Sequence, residues 1–119
     1  MIKLATLYAR DRGVCWLCGE SVRTLDDASR DHVTPVSHGG SNHHTNIKLA
    51  HGTCNWIRGN RSLAETAVLF GSEVWRRACV REWTTSDLRR IAAGKKPRKP
   101  RPYAVARFPV FSHHEEVFA

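Results

Sequence analysis

Apolar positions recur at helical spacing only in parts of this chain, and those parts outline its elements. Leu4, Leu7 and Tyr8 share one helical face, so residues 3–12 predict a short helix that Gly13 stops. Residues 14–20 predict a tight turn. Residues 21–28 are polar and carry Asp26-Asp27, a loop or a weak strand. Strands are expected over 30–36 and 47–50. The stretch between them, 37–46, is rich in Gly, Ser, Asn and His, which is loop chemistry. A helix should open at Gly52 or Thr53 and run through Asn60. Leu63, Ala67, Phe70, Val74 and Ala78 then predict helix from Ser62 to about Arg81, with Gly71 as a break point. Thr84-Thr85-Ser86-Asp87 reads as the N-cap of a last helix over 87–93, ended by Gly94. From Lys95 the chain alternates basic residues with proline, which excludes an ordinary helix and favours extended chain. The pattern is that of a small α+β domain over residues 1–94, followed by a basic, Pro-rich tail and C-terminal segment over 95–119.

Length and charge narrow the classes. A core in a 119-residue chain is thin, burying about two thirds of the surface its unfolded form exposes, so a metal staple would help. Apolar runs such as Ala67-Val68-Leu69-Phe70 fall far short of the roughly 20 residues a membrane helix needs. The N-terminus reaches Arg10, Asp11 and Arg12 without the apolar stretch of a secretory signal. A cytoplasmic location with no membrane partner is therefore expected. Nineteen Lys and Arg oppose eleven Asp and Glu, a net +8. Residues 1–60 hold seven basic and five acidic residues and 61–119 hold twelve and six, so the surplus is two in the first stretch and six in the second. That charge suits a polyanion, because each neutralised phosphate releases condensed counterions. Basic charge also serves solubility alone.

The cysteines add a second constraint. Cys15-Trp-Leu-Cys18 sits between Gly13 and Gly19, and His51-Gly-Thr-Cys54 repeats the spacing. Two such pairs form a complete Cys₃His shell for a structural Zn²⁺, since two intervening residues let a turn aim both donors at one ion. A redox dithiol is the alternative for the first pair alone. Disulfides do not suit a reducing compartment. Cys79, in an apolar helical context, reads as a buried thiol.

Between the two pairs lies Ser29-Arg30-Asp31-His32-Val33-Thr34-Pro35-Val36-Ser37-His38-Gly39-Gly40, followed by Asn46-Ile47 and by Asn55 directly after Cys54. Taken together over roughly residues 14–61, these elements resemble the HNH endonuclease family. The resemblance implies a ββα-metal, treble-clef-like core with a structural zinc, surrounded by helices. It further implies cleavage of DNA, double-stranded above all, by a single divalent cation, Mg²⁺ or Mn²⁺. Carried over, His32 is the general base, Asp31 and Asn55 hold the cation, and Asn46 bridges the loop and orients His32. Cys15, Cys18, His51 and Cys54 take the zinc. The second pair is His-x-x-Cys where many relatives have Cys-x-x-Cys, and the last motif position is Asn rather than His. Free-standing proteins of this kind occur in phages and bacteria, and by analogy a phage packaging or other DNA-processing protein is a candidate partner.

The residues also have plainer readings. Asp31-His32 fits an exposed edge-strand pair, Asn46 a turn cap, and Asn55 a polar residue of a first helical turn. His38, His43 and His44 read as loop residues. Trp16, Trp56, Trp75 and Trp83 read as core or zinc-flanking aromatics. Lys48, Arg58 and Arg61 flank the site and are candidate phosphate clamps, while Lys95, Lys96, Arg98, Lys99 and Arg101 supply non-specific affinity for DNA. The competing function is a zinc-stapled DNA-binding module without catalysis, which leaves Asp31, His32 and Asn55 without a role.

Overall fold

The computed structural model describes residues 1–78 and 85–96. Cys79, Trp83, Arg98, Lys99, Arg101 and the remaining C-terminal segment lie outside the described residues.

Helix α1 (Leu4–Arg10) buries Leu7 and ends where Arg12 and Gly13 both take positive φ, 57° and 66°. That reversal sends the chain into the first Cys-x-x-Cys turn. A bridge between Val14 and Ser21 closes the turn, and the Cys15 N–H donates to Glu20 O at 2.9 Å. The Trp16 N–H donates to Leu49 O at 2.9 Å, which docks the turn on the sheet.

Strand β1 (Ala28–His32) pairs antiparallel with β2 (Ile47–His51), with Ala28 opposite His51 and His32 opposite Ile47. The first strand thus begins and ends earlier than the expected 30–36. Two features stop it. Pro35 has no N–H to give a ladder. Thr34 spends its backbone polar groups on a side chain, donating to Asn46 Oδ1 at 2.9 Å and accepting from Asn46 Nδ2 at 3.0 Å. Gly40 then passes so close to Thr34 that a Cβ there would lie 1.8 Å from its carbonyl oxygen, so only glycine fits.

Helix α2 (Gly52–Arg58) begins within the second ligand pair. It stops two residues short of Asn60, because Gly59 turns at φ 59° and the Arg61 guanidinium caps the open carbonyls of Ile57 and Arg58 at 2.7 and 2.9 Å. Ser62 and Glu65 form a reciprocal capping box that starts α3 (Leu63–Phe70). Gly71 ends α3, and α4 (Glu73–Ala78) follows as a separate helix. Helix α5 (Thr85–Ala92) starts two residues before the expected Asp87 and packs against α1.

Leu7, Trp16, Leu17, Val22, Val33, Ile47, Leu49 and Val74 form the buried core. Asp11 adds a polar tie between α1 and β2. It accepts from Arg10 at 2.7 Å and from the Leu49 N–H at 2.9 Å, while Arg10 also donates to His44 O at 2.8 Å. Burial works to raise the Asp11 carboxyl, but Lys48, Arg10 and the Leu49 N–H together hold it below the ordinary carboxylate value. None of the described helices is long and apolar enough to cross a membrane.

Candidate metal centre and active site

The first turn and the start of α2 bring Cys15, Cys18, His51 and Cys54 together, with one donor atom of each within 4.8 Å of all the others. His51 Nδ1 lies 3.3 Å from Cys18 Sγ and 3.7 Å from Cys54 Sγ. A tetrahedral zinc with ordinary Zn–S and Zn–N bonds has donor–donor edges of about 3.5–3.8 Å, so these four atoms fit the ion. The nitrogen that faces the sulfurs is Nδ1, because Nε2 donates to Ser21 O at 2.9 Å and thereby fixes the ring and its tautomer. Backbone N–H groups of His51 and Glu20 point at Cys15 and Cys18 Sγ, at 3.3 and 3.5 Å. Burial, then the neighbouring Cys15 and Cys18, push the Cys54 thiol up to about 12, and burial likewise raises Cys15. Binding of Zn²⁺ reverses that balance, since a coordinated thiol is deprotonated.

His32 ends β1 and is half-buried. Its Nε2 donates to Asn42 Oδ1 at 2.8 Å across the loop. Asn46, buried, holds that loop by its amide: besides both bonds to Thr34, Nδ2 donates to Ser41 O at 2.8 Å. Asn55 donates from Nδ2 to Ser29 Oγ at 2.6 Å and to Arg30 O at 3.0 Å, which pins α2 to β1 and turns Oδ1 away from the strand. The loop therefore holds His32 through Asn42, and α2 meets β1 through Asn55 and Arg58.

Residues 15–61 match the family model of the HNH endonuclease. That stretch, about two fifths of the chain, is similar to the HNH endonuclease family. No curated protein matches the chain. The architecture of this stretch is the small α+β one, a two-stranded antiparallel sheet with α2 behind it and a Cys₃His cluster able to hold zinc, consistent with the ββα-metal class.

Several of the expected site residues have partners inside the fold. Asp31, expected to hold the cation, is buried and paired. It is 5% exposed, and its oxygens accept from Trp16 Nε1 at 2.9 Å and from Arg58 Nη1 at 3.2 and 3.1 Å. Burial raises its carboxyl, against the pull of Arg58 and Trp16. Arg58 is not a phosphate clamp, since it is 0% exposed and its guanidinium is used up inside the fold. Its Nε donates to Thr66 Oγ1 at 2.8 Å, Nη2 to Val33 O and Arg61 O at 2.7 and 2.9 Å, and Nη1 to Asp31 and His32 O. Lys48 is drawn to Asp11 at 3.6 Å, with little of its side chain exposed, and so does not stand free for phosphate. Trp16 and Trp75 are buried, whereas Trp56 is exposed and is neither core nor zinc packing. Arg61, Lys95 and Lys96 remain at the surface. His43 caps the turn of residues 44–46 by accepting from the Thr45 N–H at 3.3 Å, and His38 is exposed.

Asn42 and the partnership of Asp31 with Arg58 carry no signature in the sequence. Asn42 is one polar residue among many in its loop. Arg58 does give a hint, because it lies three and four residues beyond Asn55 and Cys54, on the inward face of α2.

Proposed function

We propose that this domain hydrolyses phosphodiester bonds of double-stranded DNA, with His32 as general base and a divalent cation, Mg²⁺ or Mn²⁺, at the β1–α2 junction. The observation that carries this reading is the Asn42–His32 hydrogen bond. Asn42 Oδ1 can only accept, so the proton resides on Nε2 and Nδ1 keeps its lone pair. Nδ1 takes the proton from water as the water oxygen attacks phosphorus. The bond from phosphorus to the 3′-oxygen then breaks, leaving a 5′-phosphate and a 3′-hydroxyl. Asn46 keeps the loop closed so that Asn42 stays in place.

Asn55 would hold the cation through Oδ1. Mg²⁺ suits a site of this kind, because it retains waters and binds through few protein oxygens together with substrate phosphate. The ion would supply charge stabilisation at the developing phosphorane. The zinc-stapled turn sets Asn55, one residue beyond Cys54, against β1. The tail residues Lys95, Lys96, Arg98, Lys99 and Arg101 add non-specific affinity for DNA.

The second reading, a DNA-binding module without catalysis, is favoured by one observation: the carboxylate of Asp31 is turned inward to Arg58. Plasmid cleavage separates the two. The wild type and His32→Ala, each verified to carry one zinc, are incubated with Mg²⁺, with Mn²⁺ and with neither. Nicking or linearisation that requires the added cation and disappears in His32→Ala supports the nuclease. A zinc-loaded wild type that binds DNA and cuts nothing supports the module.

A further inference from the structure

Among the described residues the tryptophans divide sharply. Trp16 is 1% exposed, Trp75 8% and Trp56 84%. The difference follows from α2. Cys54, Asn55 and Arg58 face inward, to the zinc cluster, β1 and Asp31. Trp56 and Ile57 then fall on the outer side, and Ile57 is 49% exposed. An indole set in water beside two residues of the site is, among the described residues, the largest exposed apolar side chain.

The charge around it identifies the occupant. Residues 32–64 contain no Asp and no Glu, and with Arg58 buried and Lys48 drawn to Asp11 the exposed basic and imidazole side chains of this stretch are Arg61, His38 and His43. The loop, β2 and α2 thus carry no carboxylate that would repel a phosphate backbone, and Arg61 is exposed at the end of the same helix. A purely apolar protein partner would leave the exposed cationic and neutral polar residues unexplained, and an acidic one would leave the indole unexplained. Nucleic acid matches both parts, with phosphate for the exposed Arg61 and base faces for the indole.

We propose that Trp56 is the nucleobase contact of this domain, its indole stacking on or wedging between bases beside the scissile phosphate. The proposal deepens the nuclease reading, on which it rests for the placement of substrate at Asn55. Because stacking neutralises no phosphate, Trp56 contributes affinity without adding to the salt dependence of binding.

The test uses the full-length, zinc-loaded chain in a His32→Ala background, so that binding is read without cutting. Dissociation constants for a short duplex and for one of its single strands are measured with Trp56, Trp56→Phe and Trp56→Ala over a range of salt. Trp56→Ala should weaken binding about 5- to 100-fold, the range that loss of one stacked base implies. The slope of log affinity against log salt should not change, and Trp56→Phe should keep most of the affinity. DNA should also quench a component of tryptophan fluorescence that Trp56→Phe lacks. Unchanged affinity in Trp56→Ala together with unquenched Trp56 overturns the proposal, as does a change in oligomeric state in its place, which would assign the face to a second copy of the chain. The outcomes also separate the two readings. If DNA is bound through Trp56 but never cut, the stacking contact stands and the nuclease falls. If both Trp56 and Trp56→Ala proteins with His32 intact cut plasmid at the same kcat/KM, the nuclease stands and the contact falls.

Discussion

Arg58 reaches from α2 to grip both carboxylate oxygens of Asp31, at 3.2 and 3.1 Å, with neither partner open to water. The same guanidinium binds the carbonyls of His32, Val33 and Arg61 and the hydroxyl of Thr66. One side chain thus joins α2, the end of β1 and α3, and its remaining contact, with Asp31, brings in Trp16 from the zinc turn.

Removing one member of a buried pair strands the other, so Arg58→Met should destabilise the zinc-loaded protein by about 3–5 kcal/mol. Asp31→Asn should destabilise it as well. In a double-mutant cycle the two changes should couple by at least about 1 kcal/mol. Denaturant melts of the four proteins check this. Asp31→Asn with wild-type stability and no cleavage would instead return Asp31 to the cation.

Asn42 is predicted to act through His32. Asn42→Ala should lower kcat more than it raises KM, because the imidazole loses its fixed tautomer while the substrate contacts remain. Asn42→Asp should move the acid limb of the kcat/KM profile to higher pH, because a carboxylate stabilises the imidazolium and the base must be neutral. A purely structural Asn42 would leave the position of that limb where it was. Rate profiles across pH, with zinc content verified for each variant, decide between them.

Zinc removal should unfold the domain, because the ion ties the first turn to α2 and structural zinc sites contribute about 10–16 kcal/mol of binding free energy at neutral pH. His51→Ala should lose the metal and His51→Cys should keep it. Affinity should rise with pH, since binding displaces a proton from each thiol, including the Cys54 thiol that burial and its neighbours hold near 12. Competition with a chromophoric chelator across pH measures this, and nitrogen NMR of His51 should report coordination through Nδ1.

Acid should weaken the tie between α1 and β2. The Asp11 carboxyl is held below its ordinary value in the folded state, so its stabilisation is complete above that value and is lost as pH falls through the folded one. Asp31, raised by burial, acts with the opposite sign: its share of stability grows as pH falls from its raised folded value towards the ordinary one. Asp11→Asn should therefore lower stability at neutral pH and flatten its decline in acid. Thermal melts of both proteins from neutral pH downwards test this.

The sequence by itself determined what local chemistry can determine. The two ligand pairs, the glycines, the Ser62–Glu65 cap and the break at Gly71 each act over a few residues, and each is placed where its spacing predicts. So is the likeness to the HNH endonuclease family over residues 15–61, because its motif is a set of residue types at short, regular intervals. What tertiary structure decided is the orientation and partnership of polar side chains. A carboxylate before a histidine reads as a cation ligand until an arginine 27 residues away is found to hold it. A tryptophan beside a zinc ligand reads as core until the helix that carries it is found to turn its other face inward. Strand β1 stops at His32 rather than at Val36 because a distant amide, Asn46, takes the backbone groups of Thr34. Local patterns mark which residues are polar or apolar, but a buried charge or an exposed indole is settled by contacts between elements that only the folded chain brings together.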